Sequence, residues 1–118
     1  MSYDKNNIFA KILRGEVPCK KVFENDYVLA FHDINPQKKI HVLIIPKGEY
    51  VDFDDFNSKA SDKEVVEFSK AITHVANLMG SKDKGYRTLT NIGNDGGQEV
   101  PHLHFHVFAG EKIGKMVN

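Results

Sequence analysis

The chain has no tryptophan, one cysteine and no net charge. A single cysteine, Cys19, excludes an intrachain disulfide and any paired-cysteine metal site. Beside Pro18 it reads as a small loop residue, and the cytoplasm is the compartment that suits it. Sixteen Lys and Arg balance sixteen Asp and Glu, so no global field draws in nucleic acid or an anionic membrane. Any phosphate affinity has to come from a local arrangement of donors. The expected partner is a small molecule, with no nucleic acid and no membrane. No apolar run is long enough to span a bilayer, and the opening "MSYDKNNIFAKILRGE" is polar and charged before any apolar run begins, which reads as a soluble, unexported chain. Repeats, low-complexity tracts and linkers are missing too, which leaves residues 1–118 as one expected domain.

What is present suffices for a core. Hydrophobic residues make up 41% and charged residues 27% of the 118, ordinary globular values. Ile8, Phe9, Ile12 and Leu13 recur at helical spacing between Asn6 or Asn7 and Gly15, which predicts a short helix over residues 7–14. "KKVFEND" and "YVLAFHDI" read as a hairpin turning at Asn25-Asp26, and "HVLIIPK" as a third strand ended by Pro46 and Gly48. "VDFDDFNSK" is expected to be a loop. Ser61 and Glu64 form a capping-box signal ahead of a stripe of Val65, Phe68, Ile72, Val75, Ala76 and Met79, which Gly80 stops. "GYRTLTNI" and "VPHLHFHVF" alternate as strands around the turn-rich "GNDGGQ". Five strands in hairpin-like runs with two helices predict an α+β fold with a largely antiparallel sheet.

Three of the six histidines fall within five positions, His102, His104 and His106, in strict alternation with Leu103, Phe105 and Val107. On a strand the three imidazoles share one face with Val100 and Phe108, and the apolar residues share the other. A straight row of three is a poor cage for a tetrahedral metal. Two of them at i and i+2 can share an ion, with His41 from another strand as the available third ligand. A half-exposed strand with incidental histidines is the bland alternative. The reading preferred is nucleophilic chemistry on an anion, for which no metal or other cofactor is called. Near pH 7 a neutral imidazole offers a lone pair without strong activation, and its neighbour can donate a hydrogen bond or a proton. His104 is the middle, flanked residue; His106 is placed to donate to the reacting group, and His102 to fix orientation. Upstream, Gly93, Gly96 and Gly97 allow a loop whose amides turn toward phosphate oxygens.

The pattern His102-Leu-His-Phe-His-Val-Phe108 resembles the signature of the histidine-triad (HIT) superfamily. "NIFAKILRGEVPCK", "VLAFHDINPQ", "HVLIIPK" and "GYRTLTNIGNDGGQ" extend the resemblance, over nearly the full length, to its nucleotide-binding Hint branch. The resemblance implies a five-stranded antiparallel sheet and two helices per subunit, and a homodimer joined into a continuous sheet. It also implies a purine nucleoside phosphoramidase working through a nucleotidyl-histidine. His104 then matches the nucleophile, His106 the phosphate donor, and His102 and His41 the residues that orient and relay protons. Asn91 with the backbone of Gly97, Gln98 and Glu99 matches the phosphate-facing loop, and Asp33 the carboxylate that accepts the ribose hydroxyls. Ile8, Phe9, Ile12, Phe31 and Ile34 match the apolar purine slot, and Val100 is a further nucleotide-binding residue. Hydrolysis of dinucleoside polyphosphates and non-catalytic nucleotide binding are the rival functions. His32 and His74 lie outside the pattern and read as surface or packing residues. Glu99 stands where close relatives carry a small hydroxyl residue, and the tail "EKIGKMVN" lacks the family's common C-terminal tryptophan.

Overall fold

The computed structural model describes residues 2–117. Its elements run α1 (Ile8–Leu13), β1 (Lys21–Glu24), β2 (Val28–His32), β3 (Ile40–Pro46), α2 (Phe53–Lys59), α3 (Asp62–Leu78), β4 (Arg87–Leu89) and β5 (Phe105–Ala109). The strands form one antiparallel sheet in the order β1-β2-β3-β5-β4, so the fold is α+β as expected. The β1–β2 hairpin is closed by the Asn25 side chain, whose Oδ1 accepts from the amides of Tyr27 and Val28. Asn7 caps α1 by accepting from Ala10. Ser61 and Glu64 complete the reciprocal capping box that starts α3.

Alternation along β2 and β3 divides the molecule into two apolar layers. Val28, Ala30, Val42 and Ile44 face Phe68, Ala71, Val75 and Ala76 of α3, together with Phe56, Leu103 and Val107. Leu29, Phe31, Leu43 and Ile45 face the other way and pack with Phe9 of α1. The functional side chains arise on this second face, because His41 is in phase with Leu43, and His106, opposite Leu43, is in phase with Phe108.

Two expectations are corrected. "VDFDDFNSK" is largely helical: Asp52 accepts from the Asp55 amide, Asp54 and Asp55 sit in the first turn and Lys59 in the last, each favourable to the helix dipole. Phe56 of this helix is 1% exposed and Phe53 packs edge-on to Phe105 at 5.2 Å, so the third helix brings two aromatic rings to the core. The histidine segment is also a strand over only half of its expected length. β5 begins at Phe105: β4 ends at Leu89, opposite His106, and the ladder with β3 stops at the pair of Ile44 and Phe105 although β3 itself runs on to Pro46, so residues 100–104 pair with neither strand. Instead His102 N–H bonds back to Val100 O, and Leu103 N–H to Tyr50 O. The separation of faces survives, with Leu103 and Val107 in the α3-side core.

Candidate active site

His104 and His106 line a cleft of about 510 Å³ together with His41, Asp33, Asn91, Gly97 and Glu99. The His104 and His106 rings lie 5.2 Å apart, nearly edge to face. His102 is not in the row. Its ring is 0% exposed and lines no part of the cleft, because the chain bends at residues 100–102 before the strand begins.

Backbone groups fix the proton on each ring, since a carbonyl only accepts and an amide only donates. His104 Nδ1 is 2.8 Å from the carbonyl of His102, so Nδ1 carries the proton and Nε2 keeps the lone pair. His102 Nε2 is 2.9 Å from Pro46 O, so here Nε2 carries the proton and Nδ1 accepts from the hydroxyl of Tyr3, 2.5 Å away. His41 Nδ1 accepts from the Gln37 amide at 3.1 Å, which places the His41 proton on Nε2. That nitrogen stands 2.9 Å from His106 Nδ1 and 3.4 Å from Asp33 Oδ2. His106 Nδ1 is then the acceptor, and its own proton lies on Nε2. One histidine thus keeps a free lone pair while its neighbour on the strand keeps a free N–H donor.

Burial sets the charge state. Desolvation pushes His102 down to about 4. It also pushes His106 down to about 4, with repulsion from His104 and His41 adding to the effect. His104 and His41 are lowered as well, again chiefly by burial. All four imidazoles are therefore neutral at pH 7, the form in which a histidine nucleophile is reactive.

Asp33, His41 and His106 each offer one ligand atom within 4.8 Å of the others. This trio differs from the metal set expected from the sequence, which paired two histidines of the row with His41. Its hydrogen bonding suits proton relay better than ligation, because the Gln37 amide leaves His41 facing the trio with an N–H instead of a lone pair.

A second, more apolar cleft of about 880 Å³ adjoins the first. Ile8, Phe9, Ile12, Phe31, Ile34 and Val100 all line it, and Asp33, His41 and Glu99 line both clefts. Phe9 and Phe31 are buried and pack edge to face at 5.6 Å, while Ile34 is 91% exposed at the rim. Asp33 accepts from the Asn35 amide through Oδ1. Cys19 lies on the wall of this apolar cleft, and burial raises its thiol pKa, which keeps the thiol unreactive.

The glycine loop departs in part from the expected phosphate nest. Gly97 and Gln98 spend their amides on Asn94 O and Gly93 O, and the Asn91 side-chain amide donates to Gly96 O. The Gln98 side chain lines neither cleft; it donates to Val51 O and Val100 O and accepts from Gly93 N–H. Among the described residues the Glu99 and Val100 amides bond to no protein acceptor. All three glycines are required: Gly93 and Gly97 have φ +67° and +77°, and a Cβ at Gly96 would lie 2.3 Å from Ile92 O.

His32 and His74 are exposed, His74 edge-on to Phe23 at 4.7 Å. Sequence reasoning did not single out Tyr3, Gln37 or Pro46 O, which fix the tautomers. Two of these act through backbone atoms, which carry no residue signature. Phe108 stacks on His106 within 5° of parallel at 5.5 Å, and its place on the histidine face was legible from alternation.

Residues 14–113 match the HIT domain family. The chain is 56% identical over 116 residues to a 13.2 kDa HIT-like protein of Azospirillum brasilense, covering 98% of this chain and 95% of that one. A histidine triad protein from Clostridium difficile superposes with a TM-score of 0.84 at 41% identity, covering 97% and 98% of the two chains. A HIT family hydrolase from Clostridium thermocellum superposes with a TM-score of 0.88 at 36% identity, covering 98% and 99%.

Proposed function

The chain belongs to the HIT domain family, and from that premise we propose that it is a hydrolase of purine nucleoside phosphoramidates. It would cleave the P–N bond through a nucleotidyl-histidine and release a nucleoside monophosphate and an amine. One observation carries this reading: His104 has its Nδ1 proton tied to the His102 carbonyl and its neutral Nε2 left for the cleft that His106 also lines. The Clostridium thermocellum relative, named a HIT family hydrolase, supports hydrolysis as the reaction class.

In this reading His104 Nε2 attacks the α-phosphorus, a P–N(His) bond forms, and the P–N(amine) bond breaks with the electron pair leaving on the amine. A proton taken up from solvent and passed to that nitrogen by a neighbouring imidazole makes it a competent leaving group, a contribution of roughly 10²- to 10⁴-fold. Water then cleaves the P–N(His) bond. His106 Nε2–H donates to a phosphate oxygen, with His41 behind it as the relay, and the Glu99 and Val100 amides add backbone donors. Asp33 receives the ribose hydroxyls, and the apolar cleft around Phe9 and Phe31 takes the purine.

Charge favours an amine over a polyphosphate as leaving group. Among the described residues the catalytic cleft is lined by two carboxylates, Asp33 and Glu99, and by no Lys or Arg, with Lys20 and Lys39 lining only the adjoining apolar cleft. A departing nucleoside di- or triphosphate would carry its charge past Glu99 without a cation to offset it, whereas a neutral or cationic amine meets no such opposition. The test is direct: turnover of adenosine phosphoramidate is expected to exceed that of diadenosine tri- and tetraphosphate by a factor of ten or more in kcat/KM. The reverse order would establish the dinucleoside polyphosphate reading, and AMP binding without turnover of either would establish a nucleotide-binding scaffold. We also propose a cytoplasmic homodimer. The short edge strand β4 pairs only with β5 among the described residues, which leaves an edge for sheet continuation. No helix of the described residues is long and apolar enough to cross a membrane.

A further inference from the structure

We propose that Tyr3 is a positioning residue for the nucleophilic histidine, acting through the buried ring of His102. The inference rests on His104 being the nucleophile, as proposed above. Both nitrogens of the His102 ring are committed: Nε2–H to Pro46 O, and Nδ1 to the Tyr3 hydroxyl. Because Pro46 O only accepts, the His102 lone pair has to be on Nδ1, and the hydroxyl is what donates to it. The hydroxyl stays protonated for this role, since burial raises its pKa.

What His102 gives to His104 is its backbone carbonyl, which holds the Nδ1 proton 2.8 Å away. The two ring hydrogen bonds hold residue 102 between β3 and the N-terminal segment, and so fix where that carbonyl sits. Remove the hydroxyl, and a fully buried nitrogen has no donor. The ring then rotates, takes up a proton or draws in water, and each of these moves the carbonyl or loosens it.

The two residues that follow Tyr3 are tied to helix α1. Asn7, which caps α1, donates its side-chain amide to Asp4 O at 2.7 Å, and Arg14 donates from the far end of the same helix to Lys5 O at 2.8 Å. From within α1, Phe9 stands edge-on to the His104 ring at 5.0 Å and to the His102 ring at 6.3 Å. Helix α1 and the segment before it therefore form one clamp: Phe9 presses on the nucleophile's ring, and Tyr3 fixes the residue that sets its tautomer.

The experiment is ¹⁵N NMR of the histidine side chains in the full-length protein at pH 7, combined with kinetics of Tyr3→Phe on adenosine phosphoramidate. In the wild type, His102 is expected as the Nε2–H tautomer with a hydrogen-bonded bare Nδ1, and His104 as the Nδ1–H tautomer. Tyr3→Phe keeps the edge-on ring contact with His102. It is expected to lower kcat about tenfold with KM within twofold, and to convert the His104 nitrogen signals to those of a mixture of tautomers. A wild-type His102 protonated on Nδ1 would overturn the proposal whether or not the variant folds. Tyr3→Phe with wild-type kcat and unchanged His104 signals would overturn it as well. Should the wild type not turn over phosphoramidates, the functional reading fails by itself, and the nitrogen spectra of the two proteins still decide the case of Tyr3.

Discussion

Acidification from pH 7 to pH 5 is expected to destabilise the fold chiefly through its buried histidines. His102 is 0% exposed, and burial pushes it from its ordinary 6.5 to about 4. Between these two values the unfolded chain binds a proton that the native state refuses, so stability falls as pH drops through that window and is insensitive to this group above it. Over the whole window the shift corresponds to about 3 kcal/mol, and at pH 5 it amounts to about 2 kcal/mol relative to pH 7. Asp and Glu add little over this range, because they titrate mostly below pH 5 in the unfolded state. His106, also pushed down to about 4, adds in the same direction. The assay is urea unfolding at the two pH values, where a loss of about 2 kcal/mol lowers the midpoint by roughly 1 M. The decisive control is His102→Gln, whose amide donates to Pro46 O and accepts from Tyr3 but does not titrate in this range. It is expected to lose about 2 kcal/mol of the pH sensitivity, and an identical pH dependence in variant and wild type would refute the reasoning.

Two further outcomes follow from particular side chains. Asp33→Asn, which keeps an acceptor for the Asn35 amide but loses the charge facing the ribose, should weaken AMP binding by tenfold or more while changing 2′,3′-dideoxy-AMP little; titration calorimetry with both ligands checks this. Asp52→Ala removes the cap of α2 and should cost about 1 kcal/mol, seen as a lower melting temperature with kcat/KM for adenosine phosphoramidate unchanged.

Sequence patterning revealed most of the fold where side-chain periodicity and packing agree. α3 was legible because the Ser61–Glu64 box and its apolar stripe point to the same start and the same face. The β1–β2 hairpin was legible from Asn25, whose side chain closes the turn. α2 was not, since in "VDFDDFNSK" the acidic run that stabilises the first helical turn looks the same as a polar loop, and only burial of Phe56 separates the two. In the site, alternation placed His104, His106 and Phe108 on one face and Leu103 and Val107 on the other. It failed at His102, because whether a strand continues depends on partners far away in sequence, and here β4 stops at the level of His106 while the Leu103 amide bonds to Tyr50 O instead of joining a ladder with β3. The tautomers were illegible for the same kind of reason. Pro46 O, the Gln37 amide and the His102 carbonyl are backbone atoms brought in by topology, and Tyr3 is 99 positions away from the ring it supports.

The proposed mechanism rests on the lone pair of His104 Nε2 acting as a nucleophile toward phosphorus. Rapid quenching of the protein with an amine-linked adenylate, followed by peptide mass spectrometry, tests it most directly. A nucleotide adduct is expected on the peptide containing His104 and is absent in His104→Ala, which still binds AMP but no longer turns over substrate. Wild-type turnover in His104→Ala, or an adduct confined to another residue, would contradict it.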